Sequence, residues 1–277
     1  MGLLSHKVKK EDIQRGDHIY TYRSTYTYSH HGIYVGGNKV IHFTPDPNWN
    51  LSSSSSSSFD PTTGIPSTCP NSPDCGFRLP NWNLSSSSSS SFDPTTGIPS
   101  TCPNSLDCGF RLPNKRVILS CLDCFLGSGS LHLFKYGVYS ITFFVKARSG
   151  TCTMAKSDPS ETVIDRATRL LRIGFGKYDV VENNCEDFAL YCKTGLLDKR
   201  GCGSSGQTSS FVWGNIVAVL SVPVVAFSAS VGVATSVGLH CYTRYKNDIG
   251  VNINKVEVPI EGLVAHFDSN GTRRRSG

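Results

Sequence analysis

The chain has 277 residues, a net charge of +6 and 11 cysteines. This length is enough for one sizeable globular domain with additional segments. The positive excess is mild and scattered apart from an arginine run at 273–275, so it argues against nucleic-acid binding and favours attraction to an acidic membrane surface. The N-terminus lacks the apolar core of a secretory signal, and we therefore expect an intracellular protein with reduced thiols.

Residues 16–44 are predicted to form a meander of β-strands. Aromatic and β-branched residues alternate with polar residues in the run His18–Arg23. Two apolar runs on either side of a Gly-Gly-Asn turn at 36–38 predict a β-hairpin. His30 and His42 lie on the two arms of this hairpin, so their side chains are able to converge at one end of the sheet.

Residues 48–113 are a tandem duplication. The blocks 48–80 and 81–113 have 33 residues each and differ at one position, where Pro73 corresponds to Leu106. Each block contains seven consecutive serines together with prolines and glycines. Such a composition cannot bury enough apolar area to offset the entropy of ordering. We therefore predict that most of this serine-rich insertion is disordered.

The sequence after the insertion predicts strand structure followed by two helices. The run Leu131–Val145 is strand-like. Apolar residues at helical spacing over 163–171 predict a helix, for which Asp158 is a suitable N-cap. A second helix is predicted over Cys185–Lys193, with Gly195 as its end.

The segment 216–239 contains 24 residues without a formal charge, which is long enough to cross a bilayer. Its many small residues and Pro223 lower its hydrophobicity, so a buried helical hairpin in a soluble domain is the alternative interpretation. Length and lack of charge favour membrane insertion. We therefore predict a C-terminal region over 201–277 that associates with a membrane through this apolar segment.

Cys185 is the candidate nucleophile because it stands at the start of a predicted helix. The unpaired N–H groups of a first helical turn and the positive end of the helix dipole stabilise a thiolate. A histidine must then serve as the base. The chain offers eight: His6, His18, His30, His31, His42, His132, His240 and His266. The alternative is that Cys185 is a core thiol and that the hairpin histidines lie on the surface.

Three motifs resemble, in their order along the chain, those of the lecithin:retinol acyltransferase family. They are YSHHGIYVG at 28–36, VIHF at 40–43 and NCEDF at 184–188. His30 fills the family's first histidine position, His42 fills the second twelve residues later, and Cys185 fills the cysteine position. The resemblance covers 11–44 and 115–195, and the chain is similar to the plant branch of the family.

This resemblance implies an α+β fold of the circularly permuted papain-like (NlpC) type, in which an antiparallel sheet packs on helices. The domain is then split into 1–47 and 114–200 by the serine-rich insertion. The implied chemistry is thiol acyl transfer without a catalytic cofactor. Cys185 attacks the ester carbonyl of a phospholipid, His30 transfers the proton, and His42 orients His30.

Two other functions remain open at this stage. The wider superfamily includes cell-wall peptidases, so a cysteine peptidase or amidase is one alternative. A non-enzymatic membrane adaptor or stress-related scaffold that keeps the fold is the other. The apolar segment favours a lipid substrate over a peptide, and the presence of all three catalytic-type residues favours an enzyme.

Two positions depart from the family pattern. His31 stands where a tyrosine or tryptophan is usual, and Asp187 stands where a histidine is usual. Side chains alternate along a strand, so His30 and His31 should point to opposite faces of the sheet. We expect His31 to be half exposed. Both departures are expected to alter the substrate channel without removing a catalytic group.

A second group of candidate residues consists of cysteines. Cys121 and Cys124 have the two-residue spacing that suits tetrahedral zinc. The predicted ligands of a structural zinc ion are Cys102, Cys108, Cys121 and Cys124, with Cys69 and Cys75 of the first block as the alternate upstream pair. The full spacing is C-x5-C-x12-C-x2-C, and its five-residue gap exceeds the usual two to four. Core cysteines without metal are the alternative interpretation.

Overall fold

The computed structural model describes residues 6–23, 28–45, 107–112, 115–145, 149–180, 183–198 and 229–267. Most of the duplicated insertion and the first part of the apolar segment lie outside these ranges. The disorder of the insertion, the domain boundaries and the membrane insertion of the apolar segment therefore stay predictions.

A five-stranded antiparallel sheet is the central element of the fold. Its strands are β1 (His18–Arg23), β2 (Tyr28–Gly36), β3 (Lys39–Phe43), β4 (Val117–Cys121) and β5 (His132–Leu133), in the spatial order β4-β3-β2-β1-β5. The predicted meander is confirmed, because β1, β2 and β3 pair in sequence order. The hairpin turns at Gly37 and Asn38, whose φ angles are 58° and 61°. A left-handed backbone at both positions suits this tight turn.

The described part of the chain also contains several helices and a second, two-stranded sheet. They are α1 (Leu122–Leu126), α2 (Ser140–Val145), α3 (Ser160–Ile173), α4 (Cys185–Thr194), α5 (Ala229–Asn247), β6 (Leu196–Asp198) and β7 (Lys255–Glu257). The predicted α+β class, with an antiparallel sheet packed on helices, is confirmed. The two predicted helices correspond to α3 and α4, and Gly195 ends α4 in the left-handed conformation, at φ 69°.

The prediction of strand structure over Leu131–Val145 is wrong for most of that range. Only His132 and Leu133 are in a strand, and α2 begins at Ser140. Arg244 of α5 explains the difference, because its guanidinium lies 4.1 Å from the centre of the Phe143 ring and donates to the Phe143 carbonyl at 3.0 Å. A tertiary contact with a distant helix thus overrides the local β-propensity.

The N-cap of α3 also differs from the prediction. Pro159, rather than Asp158, occupies the cap position, and it makes no side-chain capping bond. The Asp158 carboxylate instead forms an ion pair with Arg166 at 2.5 Å. The predicted apolar stripe is nevertheless buried, as its members Val163, Ala167, Leu170 and Leu171 show.

The main sheet is covered on both faces. On one face, Ile33, Ile41 and Phe43 pack with α3 and α4 in the largest core cluster. On the opposite face, Ile19 and Val40 pack with α1. Each fully buried large apolar side chain contributes about 1.5–3 kcal/mol. Neighbouring residues of one strand therefore enter different buried environments, which matters for His30 and His31.

The helix α5 contains the C-terminal part of the predicted apolar segment. Its last turns are anchored to the domain by Arg244, whose side chain is buried. Within the described ranges, none of the helices combines the length and apolar character needed to span a bilayer.

Candidate functional site

The hairpin brings His30 and His42 together, as the sequence predicts. Nε2 of His30 lies 3.0 Å from Nδ1 of His42, and the two rings meet edge to face with their centres 4.8 Å apart. Gly32 lies opposite His42 in the register of β2 and β3. A Cβ atom at Gly32 would approach Val40 to 2.7 Å and the Cβ of His42 to 3.1 Å. Glycine at position 32 therefore avoids a steric clash with Val40 and His42 and leaves space for the histidine pair.

Two residues that sequence reasoning missed support the pair. Ser120 Oγ lies 2.9 Å from Nε2 of His42, so Ser120, His42 and His30 form one continuous hydrogen-bonded chain. The ring of Phe125 in α1 lies 5.3 Å from the His30 ring and 5.4 Å from the His42 ring. A signal for Ser120 was present, since it is a polar residue in an otherwise apolar strand.

Both histidines of the pair are neutral at physiological pH. Burial, with a smaller contribution from the positive charge of Arg23, lowers the pKa of His30 to about 3. Burial, followed by the charges of His30 and Arg23, holds the pKa of His42 well below 6.5. A neutral imidazole has one nitrogen that can accept a proton, and this is the state required of a general base.

Cys185 is the first residue of α4, as predicted, and its side chain is buried. The Asn184 side chain caps the helix by accepting the backbone N–H groups of Glu186 at 2.8 Å and Asp187 at 3.2 Å. In return, the Asp187 carboxylate accepts the backbone N–H of Asn184 at 3.0 Å, which completes a capping box. Asp187, a departure from the family pattern, therefore fixes the turn that carries the cysteine.

The thiol of Cys185 lies beside the strand that carries His30. Its Sγ atom is 3.7 Å from the carbonyl oxygen of Ser29, the residue that precedes His30 in β2. The thiol therefore lies at the end of β2 that carries His30, but the His30 ring packs against Phe125 of α1, on the face opposite to α4. Helix α4, which begins with this cysteine, packs directly against β2.

The expectation that His31 is half exposed is wrong, because its side chain is only 1% exposed. Its ring stacks on Tyr20, and Tyr20 shares a buried cluster with Leu190 of α4, so the helix covers this face of the sheet. Nδ1 of His31 lies 2.8 Å from Nε2 of His18, and Nε2 of His31 lies 2.9 Å from Oγ of Ser29. Burial, with a contribution from His30, lowers the pKa of His31 to about 3.

The structure therefore contains two buried histidine networks at one end of β2. His30 belongs to the face that packs against Phe125 of α1, and His31 belongs to the face that packs against α4. The second network extends to Tyr136, whose Oη atom lies 2.7 Å from Nδ1 of His18. Ser29 connects the two, since it precedes His30, contacts His31 through its hydroxyl and contacts Cys185 through its carbonyl.

The predicted zinc ligands are partly brought together. The sulfur atoms of Cys108, Cys121 and Cys124 all lie within 4.8 Å of one another. Cys102 and the alternate pair Cys69 and Cys75 lie outside the described residues, so the identity of a fourth ligand stays a prediction.

The fold and the site together define an α+β protein with a thiol at a helix N-terminus and a hydrogen-bonded histidine pair on the adjacent sheet. The family model for lecithin retinol acyltransferase matches residues 11–198, and the chain belongs to this family. The chain is also 40% identical over 280 residues to Protein LEAD-SENSITIVE 1 of Arabidopsis thaliana, an alignment that covers 97% of this chain and 93% of that relative. No solved structure matches this chain.

The capping role of Asp187 leads to a prediction about stability. Changing Asp187 to alanine removes the acceptor of the Asn184 N–H, and we expect the free energy of unfolding to fall by about 1 kcal/mol. Chemical denaturation of the full chain measures this change. Asp187→Asn keeps a side-chain oxygen at the same position and should retain most of the stability. Equal stability of Asp187→Ala and the unchanged chain would contradict the capping role.

Proposed function

We propose that this protein is a membrane-associated thiol acyltransferase, or a phospholipase-type acyl hydrolase, that acts on a lipid ester. Cys185 is the nucleophile, His30 is the general base, and His42 orients and polarises His30. The observation that carries this proposal is the hydrogen-bonded His30–His42 pair on the strand whose Ser29 carbonyl contacts the Cys185 thiol. Membership of the lecithin retinol acyltransferase family supports acyl transfer as the class of reaction.

In the first half-reaction, the sulfur of Cys185 forms a bond to the ester carbonyl carbon. His30 accepts the thiol proton as the sulfur attacks. In the tautomer in which Nε2 of His30 donates to Nδ1 of His42, Nδ1 of His30 is the nitrogen that takes this proton. The tetrahedral intermediate then collapses with cleavage of the carbon–oxygen bond of the ester. His30 returns the proton to the departing alkoxide, which leaves as a lysolipid or alcohol.

In the second half-reaction, an amine, an alcohol or water attacks the acyl-thioester. His30 takes a proton from this acceptor, the carbon–sulfur bond breaks, and the Cys185 thiol is regenerated by the same proton. Burial of Cys185 and of both histidines keeps bulk water away from the thioester. This exclusion favours transfer to a bound acceptor over hydrolysis.

The oxyanion of each tetrahedral intermediate needs hydrogen-bond donors. The backbone N–H of Cys185 is our candidate, because Cys185 is the first residue of α4. This assignment follows the general rule that a helix N-terminus presents N–H groups to an anion.

A lipid substrate agrees with the uncharged segment 216–239, which we propose holds the protein at a membrane. The circularly permuted papain-like arrangement also belongs to this proposal. It orders the histidine strands before the cysteine helix along the chain, as they are ordered here.

Trapping of the acyl-enzyme tests the proposed function. The full chain is incubated with phosphatidylcholine vesicles that carry an isotope-labelled acyl chain, and intact-protein and peptide mass spectrometry locate the label. We expect a thioester on Cys185 that is absent from Cys185→Ala. Cys192→Ala is the matched control on the same helix, because burial raises the pKa of the Cys192 thiol and disfavours its thiolate.

Three outcomes would contradict the proposal. A label that persists in Cys185→Ala would move the nucleophile to another residue. The absence of any adduct or turnover on phospholipid pools, for a folded protein that still binds vesicles, would instead favour a non-enzymatic membrane adaptor. Turnover of peptide substrates alone would favour a peptidase or amidase.

A further inference from the structure

We propose that Cys108, Cys121 and Cys124 form a binding site for a thiophilic divalent cation, with zinc as the natural occupant. The bound ion joins the segment 107–112 to the turn between β4 and α1. Through that turn it fixes the residues that contact the histidine pair. This site is separate from the proposed acyl-transfer chemistry and does not depend on it.

The distances between the three sulfur atoms are close to those of a metal–thiolate site. Zinc–sulfur bonds of about 2.3 Å in a tetrahedron place the sulfur atoms about 3.8 Å apart. The three sulfur atoms here lie within 4.8 Å of one another, so movements of about 1 Å or less bring them onto a common ion. Three soft thiolate ligands favour zinc over magnesium or calcium, which prefer oxygen donors.

The ligands come from two separate parts of the chain that the backbone holds together. Cys121 ends β4 and Cys124 lies in α1, whereas Cys108 belongs to a segment that pairs with β4 between Phe110 and Leu119. The backbone N–H of Gly109 donates to the Leu119 carbonyl at 2.7 Å, and Gly109 has a φ of 91°, which turns the chain directly after Cys108. The cluster therefore does not result from the Cys-x-x-Cys spacing alone.

Backbone N–H groups also point at the sulfur atoms. The N–H of Cys121 donates to the sulfur of Cys108 at 3.2 Å, and the N–H of Cys124 donates to the sulfur of Cys121 at 3.4 Å. Such donors orient ligands and stabilise their negative charge around a metal. Cys108 and Cys121 are buried and Cys124 is half-buried, so the site is enclosed on one side and accessible to an incoming ion on the other.

The position of the site links it to the histidine pair. Ser120, which precedes Cys121, contacts His42, and Phe125, which follows Cys124, contacts both His30 and His42. An ion on Cys121 and Cys124 fixes the backbone between these two supporting residues. Ser120 and Phe125 are thus positioning residues whose geometry the metal site sets.

Metal analysis of the full chain tests the proposal. The protein is purified without chelator, and zinc is measured by inductively coupled plasma mass spectrometry. We expect about one zinc per chain, reduced at least several-fold in Cys121→Ser and Cys124→Ser and retained in Cys241→Ser, a half-buried cysteine of α5. Substitution with cadmium should give an ultraviolet thiolate-to-metal charge-transfer band that the same two variants lack.

A measurement on the unchanged chain covers the case in which a cysteine variant fails to fold. Apo protein and zinc-loaded protein are alkylated under native conditions, and peptide mass spectrometry quantifies each cysteine. We expect zinc to slow alkylation of Cys124 at least several-fold and to leave Cys241 unaffected. Protein that takes up neither zinc nor cadmium, or that alkylates identically with and without zinc, would overturn the proposal. Neither measurement requires acyl transfer, so the metal-site proposal can be tested even if the protein is inactive as an acyltransferase.

Discussion

Changing His30 to glutamine is expected to lower the rate of Cys185 acylation by about 10²–10⁴-fold, the usual contribution of a general base. The same substitution at His31 is expected to leave the rate within a few fold. The reason is that His30 belongs to the hydrogen-bonded chain with His42 and Ser120, whereas His31 bonds to His18 and Ser29. Intact-protein mass spectrometry of adduct formation over time measures both rates.

The two substitutions are closely matched. The residues are adjacent, both side chains are buried, and burial lowers both pKa values to about 3. Glutamine supplies one donor and one acceptor, as a neutral imidazole does, but it cannot take the thiol proton. Both variants can retain hydrogen bonds through the amide group, so a much larger loss of rate in His30→Gln than in His31→Gln reports the base function.

The opposite ranking of the two variants would reassign the base. A large loss in His31→Gln with little loss in His30→Gln would show that the His18–His31–Ser29 network serves Cys185 on the face covered by α4. Equal losses in both would indicate that the strand end as a whole positions the thiol. Circular dichroism and a denaturation midpoint for each variant separate these outcomes from loss of the fold.

Local sequence patterns were enough to predict the parts of the site that lie on one hairpin or one helix. The Gly-Gly-Asn turn sets the β2–β3 pairing, and this pairing brings His30 to His42. The cap residues place Cys185 at a helix start. In these cases the determining interactions are close in sequence, so turn and capping chemistry suffice.

The remaining parts of the site depend on long-range packing. Ser120 reaches His42 because β4 pairs with β3, although the serine-rich insertion separates the two strands in sequence. His31 is buried because α4 covers the outer part of the sheet, and a single strand pattern does not predict which faces are covered. The helix α2 forms against Arg244, about a hundred residues later in the chain.

The buried neutral histidines predict a strong loss of stability in mild acid. A group whose pKa is lower in the folded state than in the unfolded chain binds more protons on unfolding, so the free energy of unfolding rises with pH between the two pKa values. His30 and His31 have folded-state pKa values of about 3, against 6.5 when unfolded. Their stabilising effect is complete above 6.5 and decreases as the pH falls towards 3.

Lowering the pH from 7.5 to 5.5 should therefore cost about 1.4 kcal/mol for each of these two histidines, or about 3 kcal/mol together. His18 and His42, whose pKa values burial also holds well below 6.5, act in the same direction. Urea denaturation at pH 7.5, 6.5 and 5.5 measures the change. This window lies above the range in which most carboxylates titrate, so the slope reports mainly on histidines.

The variant His31→Gln provides the control for this experiment, because it removes one titrating group and leaves the His30–His42 pair in place. Its stability should fall by about 1.4 kcal/mol less than that of the unchanged chain over the same pH interval. A stability that is flat between pH 7.5 and 5.5 would mean that the histidines titrate alike in the folded and the unfolded protein, whereas a stability that rises as the pH falls would mean that they are charged in the folded protein. A charged His30 could not accept the Cys185 proton, so that result would also count against the proposed base.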